Sequence, residues 1–153
     1  MMSLSCNVIE KLAGKTLVTA ESCTGGGIGA ALTAVPGSSA VYKGGIISYT
    51  NEVKQKLLSV DEKTLADFGA VSEPVAIQMA KGAKAALQAD VALSVTGLAG
   101  PSGDEYGNPV GTVFIGYCDG DKAYAKKFLF SGDREAVRTQ AVKAALEIAL
   151  SEL

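Results

Sequence analysis

Short apolar runs alternate with amphipathic stretches along this chain, and the alternation predicts its secondary structure. Leu4, Val8 and Leu12 recur at helical spacing before Gly14, and the β-branched run 16–20 that follows is typical of a buried strand. Near the C-terminus, an Asp-Gly-Asp turn separates two apolar runs and predicts a hairpin. The predicted strands are 16–20, 45–49, 91–95, 112–118 and 123–130, and the predicted helices are 4–12, 26–34, 51–58, 62–67, a longer helix capped by Ser72 and a last helix capped by Asp133.

This order of elements predicts an α/β fold. Helices alternate with apolar strands and are followed by a terminal hairpin and helix, which favours a three-layer α/β/α sandwich with a mixed, mostly parallel sheet and a C-terminal hairpin plus helix. Ligands of open α/β sheets bind at the carboxyl ends of the strands. Since Ser22, Tyr49 and Thr96 stand at predicted strand ends, we expect them at one rim of the sheet.

Length and charge limit the class of protein. The chain has 153 residues, which favours one domain spanning 1–153. Its net charge of −2 offers no basic surface for nucleic acid, so a small nucleotide is a better expected ligand than a polymer. No apolar run approaches the roughly 18 residues of a membrane span. A homo-oligomer is compatible with the sequence, which does not fix the oligomeric state.

The cysteines and the N-terminus predict a cytoplasmic location. Three cysteines are an odd number in no metal-ligand spacing, which indicates reduced thiols and no metal site. The first residues lack the basic region and apolar run of a secretory signal.

The absence of histidine shapes the candidate chemistry at Ser22. Ser22 follows the strand 16–20 and precedes the glycines that open the next helix, where free backbone N–H groups favour a nucleophile or an anion. Without histidine, its base must be a lysine, a tyrosine or a carboxylate. The alternative is that Ser22 is only a helix cap, although Thr24 is also placed to cap. Cys23 is a rival nucleophile, because a helix N-terminus lowers a thiol pKa, and otherwise a small buried filler.

Lys54 is the most informative charged residue. If Asn51 caps the helix 51–58, Lys54 lies in its first turn, where a cation opposes the helix dipole by ~0.3–1 kcal/mol. An exposed lysine there is mildly unfavourable, whereas a general base benefits because the same field and partial burial favour the neutral amine. Tyr49 is either an ordinary strand aromatic or a proton relay between Ser22 and Lys54.

Two further patterns concern nucleotide binding. Gly25, Gly27 and Ala30 satisfy G-x-G-x-x-A, but no acidic residue ends the next strand to bind a ribose, which argues against a dinucleotide site. The long glycine-rich loop 96–107 is more typical of a functional segment than of a connector.

Within that loop, the backbone near Thr96 and Gly97 is placed to hold a phosphate or ribose. Arg134 and Arg138, four residues apart, are either solvated helix charges or a phosphate clamp. No cofactor is expected.

Several ordered motifs carry a resemblance to a known family. From about residue 16 to 140 the chain closely resembles the C-terminal domain of the competence/damage-inducible CinA family, in what looks like its stand-alone form. The motifs are Thr19-Ala20-Glu21-Ser22-Cys23-Thr24-Gly25-Gly26, Pro36-Gly37-Ser38-Ser39, Tyr49-Thr50-Asn51-Glu52-Val53-Lys54, Gly69-Ala70-Val71-Ser72-Glu73, Thr96-Gly97-Leu98-Ala99-Gly100-Pro101, Pro109-Val110-Gly111-Thr112-Val113 and Phe130-Ser131-Gly132-Asp133-Arg134.

The resemblance implies an activity. Many members of the family are nicotinamide mononucleotide amidohydrolases, which release ammonia and nicotinate mononucleotide in pyridine-nucleotide recycling. It also implies a catalytic set in which Ser22 is the nucleophile, assisted by Lys54 and Tyr49. The alternative is a non-catalytic nucleotide-sensing or partner-binding module of the same fold.

We expect the remaining contacts to come from two places. The turn after the nucleophile supplies backbone N–H groups to the oxyanion, and the rim residues contact ribose and phosphate. The expected turn residues are Cys23, Thr24 and Gly25, and the expected rim residues are Thr96, Gly97 and Arg134.

Overall fold

The computed structural model describes residues 1–153 and contains one five-stranded sheet. The elements interleave along the chain as the hydrophobic pattern predicts. The strands are β1 (Leu17–Glu21), β2 (Tyr42–Ile47), β3 (Val91–Gly97), β4 (Thr112–Cys118) and β5 (Ala123–Leu129), and the helices are α1 (Met2–Lys11), α2 (Gly27–Thr33), α3 (Asn51–Leu58), α4 (Glu62–Phe68), α5 (Glu73–Leu87) and α6 (Arg134–Ser151), with a 3₁₀ turn at Ser38–Ala40.

The sheet is mixed, with strand order β2-β1-β3-β4-β5. Strand β1 pairs in parallel with both β2 and β3, whereas β4 is antiparallel to β3 and to β5. Only β4 therefore runs against the other four strands. The predicted mixed, mostly parallel sheet with a C-terminal hairpin and helix is confirmed.

Helices cover both faces of the sheet and complete three layers. Helices α1, α2 and α6 pack on one face over a cluster of 24 buried apolar residues. Helix α5 lies on the other face, with α3 and α4 packed against it over a cluster of 12. Every residue of β1 is buried, because this strand is paired on both edges and covered on both faces. None of the helices is both long and apolar enough to cross a bilayer.

Two predicted boundaries near the site are wrong. The second strand runs from Tyr42 to Ile47 instead of 45–49, since glycine-rich edge strands carry a weak sequence signal. A side chain at Gly45 would collide with Thr19 Oγ1, so the glycine is required by packing. The cap of α3 is Thr50 and not Asn51, because Thr50 Oγ1 accepts a hydrogen bond from Val53 N at 3.3 Å.

Substitution of Gly82 by alanine tests how tightly α3 packs against α5. A Cβ at Gly82 would collide with the backbone carbonyl of Leu58. Helix propensity alone would favour alanine by about 1 kcal/mol, but we expect the overpacked variant to lose about 1–3 kcal/mol of unfolding free energy in urea titrations. Gly120→Ala is the control, because its Cβ meets no atom within 4 Å. Equal stability of the two variants would contradict this packing.

Candidate active site

The carboxyl ends of three adjacent parallel strands form the rim on which the site lies. Glu21 of β1 stands opposite Ile47 of β2 and Val95 of β3, so the residues that follow these three lie side by side. Ser22 N donates to Val95 O at 3.0 Å, and Ser48 N donates to Glu21 O at 2.8 Å. The backbone therefore fixes Ser22 between its two neighbouring strands.

Lys54 meets Ser22 directly. The first turn of α3 places Lys54 Nζ 3.0 Å from Ser22 Oγ, 2.7 Å from Ser48 O and 3.3 Å from Tyr49 O. The side chain is only 1% exposed and has no acidic partner within salt-bridge distance. The contacts suit both protonation states: an ammonium can donate to all three oxygens, and a neutral amine can donate to the two carbonyls while its lone pair accepts the Ser22 hydroxyl proton.

Burial lowers the pKa of Lys54 to about 8. The cause is the loss of hydration, which penalises the ammonium form and not the amine. Near neutral pH both protonation states are accessible, which is what a group that accepts and returns a proton needs.

The buried hydroxyl of Ser48 has no hydrogen-bond partner. The Ser48 carbonyl is one of the acceptors of Lys54 Nζ, so the unpaired hydroxyl belongs to the residue that holds the lysine in place. Nothing in the sequence pattern singled out Ser48.

Glu21 is the residue that the sequence analysis missed. It is 2% exposed, and its carboxylate accepts hydrogen bonds from Thr24 Oγ1 at 2.7 Å and from the α2 amides Ile28 N at 2.8 Å and Gly29 N at 3.0 Å. Helix α2 has no side-chain cap of its own at Gly26. The Thr24 hydroxyl donates to Glu21 and does not cap the helix, in contrast to the expectation.

Cys23 is not an activated thiol. Its side chain is 6% exposed. Burial raises the pKa of the Cys23 thiol to about 11, and the nearby charges of Arg138 and Lys54 offset only part of this. The expectation that a helix N-terminus would lower this pKa is wrong, because desolvation of the thiolate is the larger effect. The thiol packs as a small buried side chain.

Two backbone amides of the turn after Ser22 make no hydrogen bond to another residue. Gly25 N donates to Ser22 O at 3.1 Å, so this predicted oxyanion donor is already engaged, whereas the amides of Cys23 and Thr24 donate to no other residue. Arg138 donates from Nε to Cys23 O at 3.0 Å and from Nη2 to Thr24 O at 3.3 Å. In a trans peptide the N–H points opposite to the preceding C=O, so the Thr24 N–H faces away from Arg138.

Tyr49 and Arg134 meet at the exposed side of the rim. The Tyr49 side chain is 62% exposed, and Arg134 Nη2 donates to its hydroxyl at 3.4 Å while Nη1 donates to Gly100 O at 2.6 Å. No hydrogen bond joins the Tyr49 hydroxyl to Ser22 or Lys54, which touch each other directly. The structure therefore does not place Tyr49 as a relay between them. Arg138 is not paired with Arg134 as a phosphate clamp, because its guanidinium contacts the turn.

Thr96 and Gly97 are explained by packing. Thr96 is 1% exposed, and its hydroxyl donates to Ala70 O at 2.8 Å. A Cβ at Gly97 would lie 2.6 Å from Val113 Cγ2, so the close approach of β4 requires glycine. Packing therefore accounts for the residue types at these two positions, and the expected contacts of their backbone with ribose and phosphate stay a prediction.

Fold and site together define an α/β/α domain with a buried serine–lysine pair at the carboxyl ends of its parallel strands. The family model of the CinA C-terminal domain matches residues 2–153, and the chain belongs to that family.

Comparisons with known proteins agree with this family assignment. "Nicotinamide-nucleotide amidohydrolase PncC" of Escherichia coli is 46% identical over 150 residues, spanning 96% of this chain and 91% of that protein. A "CinA-like protein" of Endomicrobium trichonymphae is 48% identical over 134 residues, and the match spans 88% of this chain but only 31% of that longer protein. The crystal structure of competence damage-inducible protein A from Klebsiella pneumoniae has a TM-score of 0.96 at 38% identity, covering 99% of this chain and 95% of that one.

The lowered pKa of Lys54 predicts how stability varies with pH. The folded value is about 8, whereas an unfolded lysine titrates near about 10.4. Between these values the unfolded chain binds more protons, so the Lys54 contribution to the free energy of unfolding rises with pH. We expect the stability of the wild type minus that of Lys54→Met to increase by about 2 kcal/mol from pH 7 to pH 10. Urea titrations at each pH measure this difference, and a constant difference would contradict the lowered pKa.

Proposed function

We propose that this protein hydrolyses the carboxamide of nicotinamide mononucleotide, giving nicotinate mononucleotide and ammonia in pyridine-nucleotide recycling. The observation that carries the proposal is the 3.0 Å contact between Lys54 Nζ and Ser22 Oγ, which pairs a hydroxyl nucleophile with a base of suitable pKa. The name of the Escherichia coli relative, which the chain matches over nearly its whole length, supports the choice of substrate.

Acylation begins with the neutral amine of Lys54. The amine accepts the Ser22 hydroxyl proton as Oγ attacks the carboxamide carbon, and the carbonyl oxygen becomes an oxyanion. The free amides of Cys23 and Thr24 are the available donors for that oxyanion. Loss of one such donor typically costs ~3–4 kcal/mol of barrier.

The same lysine completes the reaction. Its ammonium donates a proton to the leaving nitrogen, the C–N bond breaks, and ammonia departs from the acyl-enzyme. Lys54, neutral again, accepts a proton from the water that attacks the Ser22 ester and then returns it to Oγ. Nicotinate mononucleotide is released, and the serine hydroxyl is restored.

We assign the exposed residues of the rim to substrate binding. Arg134 donates hydrogen bonds only to the Tyr49 hydroxyl and to Gly100 O in the loop after β3, so its guanidinium can turn toward a phosphate. The exposed ring of Tyr49, whose hydroxyl contacts Arg134, offers an aromatic face to the substrate. Arg134 and Arg138 bring positive charge to this rim, which suits an anionic substrate.

Replacement of Ser22 tests the nucleophile. We expect Ser22→Ala to reduce ammonia release from nicotinamide mononucleotide by more than about 1,000-fold, since removal of a nucleophile leaves only binding and oxyanion stabilisation. Cys23→Ala is the matched control and should retain most of the activity, because its backbone amide remains.

Three other results would contradict this assignment. Activity that survives in Ser22→Ala but not in Cys23→Ala would make the thiol the nucleophile. Activity that survives in both variants would move the nucleophile to another residue. A wild type that binds the nucleotide without releasing ammonia would support the non-catalytic sensing module.

Replacement of Arg134 tests phosphate recognition. Arg134→Gln should raise KM for nicotinamide mononucleotide about tenfold or more and leave kcat within a few-fold, as expected for loss of a charge-assisted contact. With nicotinamide riboside, which lacks the phosphate, KM should change little. Steady-state ammonia assays on both substrates distinguish the cases, and a fall in kcat alone would exclude a binding role.

A further inference from the structure

We infer that Glu21 is a positioning residue for the nucleophile: its carboxylate holds the start of α2 and, through Thr24, sets the turn that carries Ser22. The inference rests on the proposed function for its kinetic measurement. It does not involve contact between Glu21 and the substrate.

The position of Glu21 in β1 places it next to Ser22 but on the other face of the sheet. Its side chain reaches the amides of α2, whereas the Ser22 hydroxyl contacts Lys54 of α3. Consecutive residues of an extended strand point to opposite faces, so the two side chains are separated by the sheet itself. Glu21 can therefore fix the turn without competing for the lysine.

Each carboxylate oxygen ties two parts of the chain together. Oε1 accepts from Thr24 Oγ1 at 2.7 Å and from Ile28 N at 2.8 Å, so it joins the middle of the turn to the first turn of the helix. Oε2 accepts from Thr19 Oγ1 at 3.2 Å and from Gly29 N at 3.0 Å, so it joins the helix to the strand. These four hydrogen bonds join the strand, the turn and the helix through one buried carboxylate, and so fix the turn between β1 and α2.

No cation neutralises this buried carboxylate. The ion pairs of the protein involve Lys56, Lys63 and Lys122, which lie elsewhere. A buried carboxylate whose hydrogen bonds come only from this turn, helix and strand is costly to disturb, because a lost donor leaves part of the charge unpaired. A change in the geometry of the turn would therefore cost the hydrogen bonds that Glu21 accepts.

Two hydroxyl donors provide a matched test. Thr24 and Thr19 are both buried, at 2% and 0% exposure, and each donates one hydrogen bond to Glu21. Only Thr24 belongs to the turn that carries Ser22. Glu21→Gln would place an amide NH₂ against one backbone N–H group and one hydroxyl donor, and we expect it to unfold the chain. The test therefore changes the two hydroxyl donors to valine instead.

We expect Thr24→Val to lower kcat for ammonia release about 10- to 100-fold, with KM within a few-fold of the wild type, as a lost hydrogen bond to a charged group can account for. Thr19→Val should lower the melting temperature and leave kcat within a few-fold. Thr24→Ser restores the hydroxyl and should recover most of kcat. Equal kcat values for the two valine variants, or no recovery in Thr24→Ser, would overturn the inference.

A second measurement separates this inference from the proposed function. The rate at which phenylmethanesulfonyl fluoride sulfonylates Ser22, followed by mass spectrometry, needs no amide substrate. If the wild type releases no ammonia but Ser22 is sulfonylated, the proposed function fails, and a slower rate in Thr24→Val than in Thr19→Val still supports the role of Glu21. Equal rates in the two variants overturn it. If the wild type shows neither reaction, Ser22 is not activated and both proposals fall.

Discussion

A buried lysine and a buried carboxylate flank the same serine without forming an ion pair, and the geometry of the site depends on this separation. Lys54 is held by carbonyl oxygens on the α3 side of the sheet, and Glu21 by amides and hydroxyls on the α2 side. A direct contact would stabilise the ammonium and raise the pKa of the lysine. Because the sheet lies between them, no contact with Glu21 offsets the desolvation of Lys54, and the pKa of the lysine falls to about 8.

The C-terminal part of the chain reaches the same rim from another direction. The β4–β5 hairpin contributes no side chain to the serine–lysine pair, but it returns the chain so that α6 begins beside the loop after β3. Asp133 caps that helix by accepting from Ala136 N at 2.9 Å. The first two turns of α6 then supply Arg134 to the open side of the rim and Arg138 to the carbonyls of the turn.

The sequence predicted the parts of the site that depend on local structure. Ser22 could be identified because ligands of open α/β sheets bind at the carboxyl ends of strands. Lys54 could be identified because a cation in the first turn of a helix is unfavourable, whereas a neutral general base is favoured there. Glu21 was missed because its significance comes from α2 amides that only the folded chain brings to it. Tyr49 lies two residues beyond the strand that was predicted to end with it, and the partners of the Tyr49 and Thr24 hydroxyls depend on tertiary contacts. The layers were predictable because hydrophobic periodicity reflects burial. Strand direction was predictable because strands joined through a helix run parallel, whereas a short hairpin joins antiparallel strands.

The lysine and both carbonyls that hold it belong to one short segment, residues 48–54, which follows an edge strand. Ser22, in contrast, directly follows β1, a strand that is paired on both sides, and its amide is bonded to Val95 O. Edge segments open locally at lower free energy than central strands do. A fluctuation that detaches 48–54 would remove the base together with everything that orients it, while the rest of the sheet stays intact. Inactivation by heat or denaturant is therefore expected to precede global unfolding.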